Sequence, residues 1–181
     1  MSAALWPSIG ASATHASLAI YALASPTAVC PTPGNNACIT NTPTASVTLN
    51  GLDQTASYNL LFTLNNLTPG PWHVTITSTQ FTGGGHTLPS TASSVTGVSI
   101  VPNCTGPTCP QNAITYTVPV PVPAGATPPS AVEFYNNSPG SSSHGQGTFN
   151  IQATIQVIVP ANAYAVNYAS TITIAFVSGS S

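Results

Sequence analysis

The chain has 181 residues, no Lys or Arg, two acidic residues (Asp53 and Glu133), four His and 42% hydrophobic residues. A single domain of this size buries about 70% of its unfolded surface, and the apolar content sets it apart from a charged, disordered tail. The missing cations exclude nucleic acid and anionic membrane surfaces as partners, because both are bound chiefly through Lys and Arg, and no run of 18 apolar residues offers a membrane span.

In chain order, the first expected element covers residues 14–23, with Thr14, Ala16, Leu18, Ile20 and Ala22 on one face. Ala22-Leu23-Ala24 resembles a signal-cleavage site. However, no positive charge precedes it, and Thr14, His15 and Ser17 interrupt the apolar run, so the segment is expected to belong to the mature protein. A turn-rich stretch follows, bracketed by Cys30 and Cys38. Next come residues 46–52, then an alternating run on Tyr58, Leu60, Phe62 and Leu64, then one on Trp72, Val74 and Ile76. Shorter runs at 95–101, 113–122 and 131–135 precede two long ones at 149–159 and 168–177. The prolines of Val118-Pro119-Val120-Pro121-Val122-Pro123 confine that stretch to a sheet edge or a linker. No window carries a helical period. About nine strands spaced by turn signals predict an all-β protein, an Ig-like or jelly-roll antiparallel β-sandwich over residues 25–181. Residues 1–24 are expected to form an extended N-terminal arm.

The cysteines fall in two close pairs, Cys30 with Cys38 and Cys104 with Cys109. Local disulfides are the simplest of three connectivities and imply an oxidising, extracellular setting. Free thiols or a zinc site are the alternatives, and the second pair has a zinc-like spacing. Three sequons make Asn66, Asn103 and Asn136 candidate glycosylation sites. With so few titrating groups, acid has little linkage by which to unfold the chain.

No chemistry is evident. His15, His73, His86 and His144 show no metal-ligand spacing, and no Gly-x-Ser-x-Gly elbow occurs. A hydrolytic carboxylate pair would have to be Asp53 with Glu133, one in a turn and one in a short strand. Asp53 is expected to cap a turn and Glu133 to bond locally or face solvent. The reading is therefore a non-enzyme with no catalytic residues, no metal and no cofactor. Trp6, Trp72 and six tyrosines are available for stacking on sugars, although aromatics on strands also serve as core.

The C-terminal stretch 155–177 runs from a strand through Pro160-Ala161-Asn162-Ala163-Tyr164 into Tyr168-Ala169-Ser170-Thr171-Ile172-Thr173-Ile174. It resembles the end of bacterial surface sandwich domains: WxL-type wall domains, spore-coat-U-like proteins and chaperone–usher pilins. That resemblance implies a secreted Ig-like sandwich whose last strand lies in a core sheet. In pilin-type relatives, a terminal segment of one subunit completes the sheet of the next. The expected function is thus a structural subunit of an extracellular filament or pilus, a homopolymer of identical subunits. Ala16, Leu18, Ile20 and Ala22 form the first-choice donor strand, and residues 172–176 the second. An ordinary first strand is the alternative reading of residues 14–23. A monomeric cell-wall or carbohydrate-binding sandwich, with glycans as partners, is the alternative for the protein. A coat or S-layer-like shell protein is a third reading.

Overall fold

The computed structural model describes residues 17–24, 34–102, 109–110, 118–137 and 145–179. They form thirteen strands in two sheets. The strands are β1 (Ser17–Ala24), β2 (Asn36–Ile39), β3 (Thr44–Thr48), β4 (Gln54–Asn66), β5 (Trp72–Thr79), β6 (Thr82–Gly83), β7 (His86–Thr87), β8 (Ser93–Ile100), β9 (Val120–Pro121), β10 (Ala124–Gly125), β11 (Val132–Asn137), β12 (Gly147–Val159) and β13 (Asn167–Ser178). One sheet runs β2-β4-β12-β8-β9. The larger runs β10-β5-β13-β1-β3, with β11 on β5 and the β6–β7 hairpin on β13.

The core follows from period-2 alternation. On β4 the buried set is Ala56, Tyr58, Leu60, Phe62 and Leu64; on β12 it is Ile151, Ala153, Ile155, Val157 and Val159. The two strands pair antiparallel along their whole length. Trp72, Val74 and Ile76 face them from β5, joined by Phe134 and Tyr135 of β11 and Tyr168 and Ile172 of β13. Phe62 meets Phe134 edge-on at 5.9 Å, and Trp72 lies between Tyr135 and Phe176, each at 5.7 Å. Such contacts each contribute about 0.5–1.5 kcal/mol beyond the area they bury.

The structure corrects the sequence reading in three respects. There are thirteen strands rather than nine. The four additional ones are β2, hidden in a loop-like stretch, and the two-residue bridges β6, β7 and β10, which are too short to show a period. The sheets are not purely antiparallel: β1 pairs with β13, and β10 with β5, in parallel. Finally, residues 17–24 do not stand off as an arm, because β1 is an interior strand of the larger sheet. A smaller shift concerns β3, which ends at Thr48 rather than reaching Leu52. There Asn50 Oδ1 accepts from the Leu52 backbone N–H at 3.0 Å and Gly51 takes φ 78°, so the chain turns.

Candidate functional site: a strand slot in the larger sheet

After β2 the chain changes sheets. Asn36–Ile39 pairs with β4 in the smaller sheet, whereas Thr44–Thr48 pairs, among the described residues, only with β1 in the larger one. In between, the Asn41 side chain imitates a strand. Its Oδ1 accepts from Leu61 N–H and its Nδ2 donates to the Asn59 carbonyl, both at 2.8 Å. Past that point the backbone edge of β4 is released and β3 begins.

β3 and β13 are therefore the two walls of a slot one strand wide, and β1 fills it. Against β3 it runs antiparallel, with Leu18 opposite Val47 and Ile20 opposite Ala45. Against β13 it runs parallel, with Ile20 opposite Tyr168, Ala22 opposite Ser170 and Ala24 opposite Ile172. Leu18 and Ile20 have no exposed surface, and Tyr168, Ser170 and Ile172 are buried. Burying each aliphatic anchor contributes about 1.5–3 kcal/mol. Two of the four predicted donor residues, Leu18 and Ile20, are thus placed in the core; Ala22 lies on the strand, and Ala16 is outside the described residues.

The β13 wall is held rigidly from its other flank. Ser170 Oγ donates to the Thr79 carbonyl at 2.6 Å, and Thr79 Oγ1 accepts from Thr171 N–H at 2.8 Å. The β6–β7 hairpin turns on Gly84 (φ 57°) and Gly85 (φ 81°) and pairs with Ala169. It presses so close that a Cβ on Gly83 would collide with the Asn167 carbonyl oxygen. At the hairpin's end the His86 ring stacks on the exposed Tyr164 ring, 3.5 Å between centroids and 10° from parallel.

The remaining sequence candidates are dispersed. Cys38 and Cys109 are each disulfide-bonded. Cys30 and Cys104 lie outside the described residues, as do Asn103, His15, His144 and Trp6. Asn66 is buried and its Nδ2 donates to the Gly145 carbonyl at 2.8 Å, so the folded chain does not present that amide. The Asn136 Nδ2 donates to Glu133 Oε1 at 2.7 Å, the local bond expected for Glu133. Asp53 Oδ1 accepts from Ala161 N–H at 2.8 Å, tying the turn before β4 to the loop after β12 rather than capping its own turn. Trp72 is 1% exposed, with Nε1 donating to the Gly145 carbonyl at 3.3 Å, and so offers no platform for a sugar. His73 Nδ1 is buried with no hydrogen-bond partner. Among the described residues no three His, Cys, Asp or Glu side chains come together as a metal site.

Sequence reasoning missed the β3 wall. Thr-Ala-Ser-Val-Thr reads as a strand, but nothing local says that its neighbour will be β1. It also missed Asn41, whose role exists only once the fold has brought β4 beside it. No family model matches the chain, and no curated protein matches it significantly.

Proposed function

We propose that the chain is a structural subunit of an extracellular filament, in which β1 of one subunit occupies the slot between β13 and β3 of the next. The observation that carries this reading is the isolation of β3, which among the described residues joins the larger sheet through β1 alone. A strand so placed, with Leu18 and Ile20 wholly buried and a backbone partner on each side, supplies both the affinity and the register needed for strand addition. In the single chain β1 fills its own slot. A neighbouring copy offers the same walls and the same contacts, which is the condition for strand exchange. The near absence of charge agrees with a subunit meant to associate.

The test is a cysteine pair at Ser17 and Thr48, which lie opposite each other across β1 and β3. Antiparallel partners have Cα atoms about 4.5–5.5 Å apart, within the span of a disulfide. The doubly substituted chain, Ser17→Cys with Thr48→Cys, is recovered from the surface of cells that produce it, oxidised, boiled and run without reductant. Strand donation gives a ladder of covalent multimers. A crosslinked monomer alone refutes donation by β1 and leaves a self-contained sandwich.

A further inference from the structure

We infer that the outer edge of β3 pairs with the same edge of a second copy, antiparallel and about a two-fold axis. The basis is a comparison of the strands that end the two sheets. β2 is four residues long, is tied by the Cys38 disulfide and runs on into the Asn41 cap. β9 is two residues, one of them Pro121, with Pro119 and Pro123 on either side. Beside it, β8 carries an irregularity where its pairing skips from Val95 to Gly97. At the far end of the larger sheet, β10 has two residues, and β11 carries a register shift after Glu133, one of only two charges in the chain. Short length, proline, bulges and charge are the devices by which sheet edges are kept from pairing. Within its own span β3 has none of the last three, although Pro43 directly precedes it. Its five residues, Thr-Ala-Ser-Val-Thr, are regular, uncharged and rich in β-formers. Among the described residues their only strand partner is β1, and no other backbone or side-chain bond engages them.

A second copy fits this edge because the sequence is complementary to itself. A two-fold axis normal to the sheet keeps both inner faces on the same side, so each residue must oppose one of like facing. The register that uses all five residues sets Ser46 against Ser46 of the second copy, Thr44 against its Thr48, and Ala45 against its Val47. Thr44, Ser46 and Thr48 are exposed, and Ala45 and Val47 are half-buried against the core. The contact therefore joins hydroxyl to hydroxyl on the outer face and continues the apolar layer on the inner one, with no charge to desolvate. It is independent of strand donation, which uses the opposite side of the same strand.

The full chain carrying Ser46→Cys tests the inference, with Ser57→Cys as control. Ser57 is exposed on β4, whose backbone at that point pairs with β12. Both variants are first required to melt with the parent. On oxidation, Ser46→Cys is expected to give a disulfide dimer as its main product and Ser57→Cys only a trace. Ser46→Lys sets two like charges face to face and should abolish the dimer, and mixing it with Ser46→Glu chains should restore a heterodimer. A Ser46→Cys chain that stays monomeric while its thiol reacts with a maleimide overturns the inference. So does crosslinking equal to that of Ser57→Cys. Either result leaves the Ser17/Thr48 ladder untouched, so the two readings fail separately.

Discussion

Leu18→Ala in the full chain is the most direct probe of the slot. The side chain is wholly buried between β13 and β3, in the layer that also holds Tyr168 and Ile172. Cutting a buried Leu back to Ala removes its transfer energy and leaves a cavity, at a cost of about 2–5 kcal/mol. The walls have little room to collapse, because β13 is locked to β5 through Thr79 and is pressed by the β6–β7 hairpin, so the upper half of that range is expected. For a domain of this size each kcal/mol moves the midpoint by about 2–4 °C, so melting should fall by about 7–20 °C. Ile20→Ala should cost a similar amount. The double variant should lose less than the sum, because the two residues line one cavity. Thermal unfolding followed by far-ultraviolet circular dichroism measures all three against Ser57→Ala, whose exposed position predicts a change within about 0.5 kcal/mol. A Leu18→Ala chain that melts within about 2 °C of the parent, a shift smaller than 1 kcal/mol would give, would refute the placement of β1 in the slot.

Three further outcomes follow from the geometry. Gly83→Ala drives a methyl into the Asn167 carbonyl, and because that neighbour is backbone it cannot swing aside; a loss of about 1–3 kcal/mol is expected in chemical denaturation, and no loss would mean that the hairpin does not press on β13. Burial raises the Tyr58 phenol above its usual value of 10.0 and pushes that of Tyr135 up to about 12. Above pH 10 the unfolded chain therefore sheds phenolic protons that the folded chain keeps, and stability, level below that point, should drop between pH 10 and 12 by about 2–3 kcal/mol for Tyr135 alone; denaturation midpoints that stay constant to pH 12 would contradict this. Peptide mapping of the chain should find Asn66 without a glycan, and Asn66→Asp should destabilise the fold more at pH 7 than at pH 4, because burial favours the protonated acid.

The strands that carry the core were legible because alternation is a local property. Tyr58, Leu60, Phe62 and Leu64 share a face whatever they pack against. β2 was not legible, since four residues amid Pro, Gly and Asn give no period. Two-residue bridges such as β10 exist only where the fold brings another strand alongside. For the slot, Leu18 and Ile20 were readable as anchors, but their walls were not. Pairing of β1 with β13 joins residues nearly 150 positions apart. One signal pointed towards them: Ser-Leu-Ala-Ile-Tyr-Ala-Leu-Ala is almost continuously apolar, as strands in parallel pairings tend to be, and β1 does run parallel to β13.

The same β1 contacts arise whether the strand enters its own slot or a neighbour's, so they cancel between the two forms. What differs is the tether. The eleven residues 25–35 separate Ala24 from Asn36 and reach at most about 40 Å. Because β1 and its slot belong to one chain, self-insertion is intramolecular, which corresponds to an effective concentration in the millimolar range. At micromolar subunit concentrations, self-insertion therefore outcompetes lending unless neighbouring subunits touch elsewhere or a subunit is delivered with its slot open. The comparison that exposes this is the Ser17/Thr48 cysteine chain refolded in dilute solution against the same chain recovered from a cell surface. The refolded chain should crosslink within itself. The recovered chain should form the ladder, because a strand flanked by two backbone partners, once exchanged, returns only through unfolding of the sheet that holds it. Identical monomer bands from both sources would mean that the slot is closed for good when the chain folds, and that the protein works as a single sandwich.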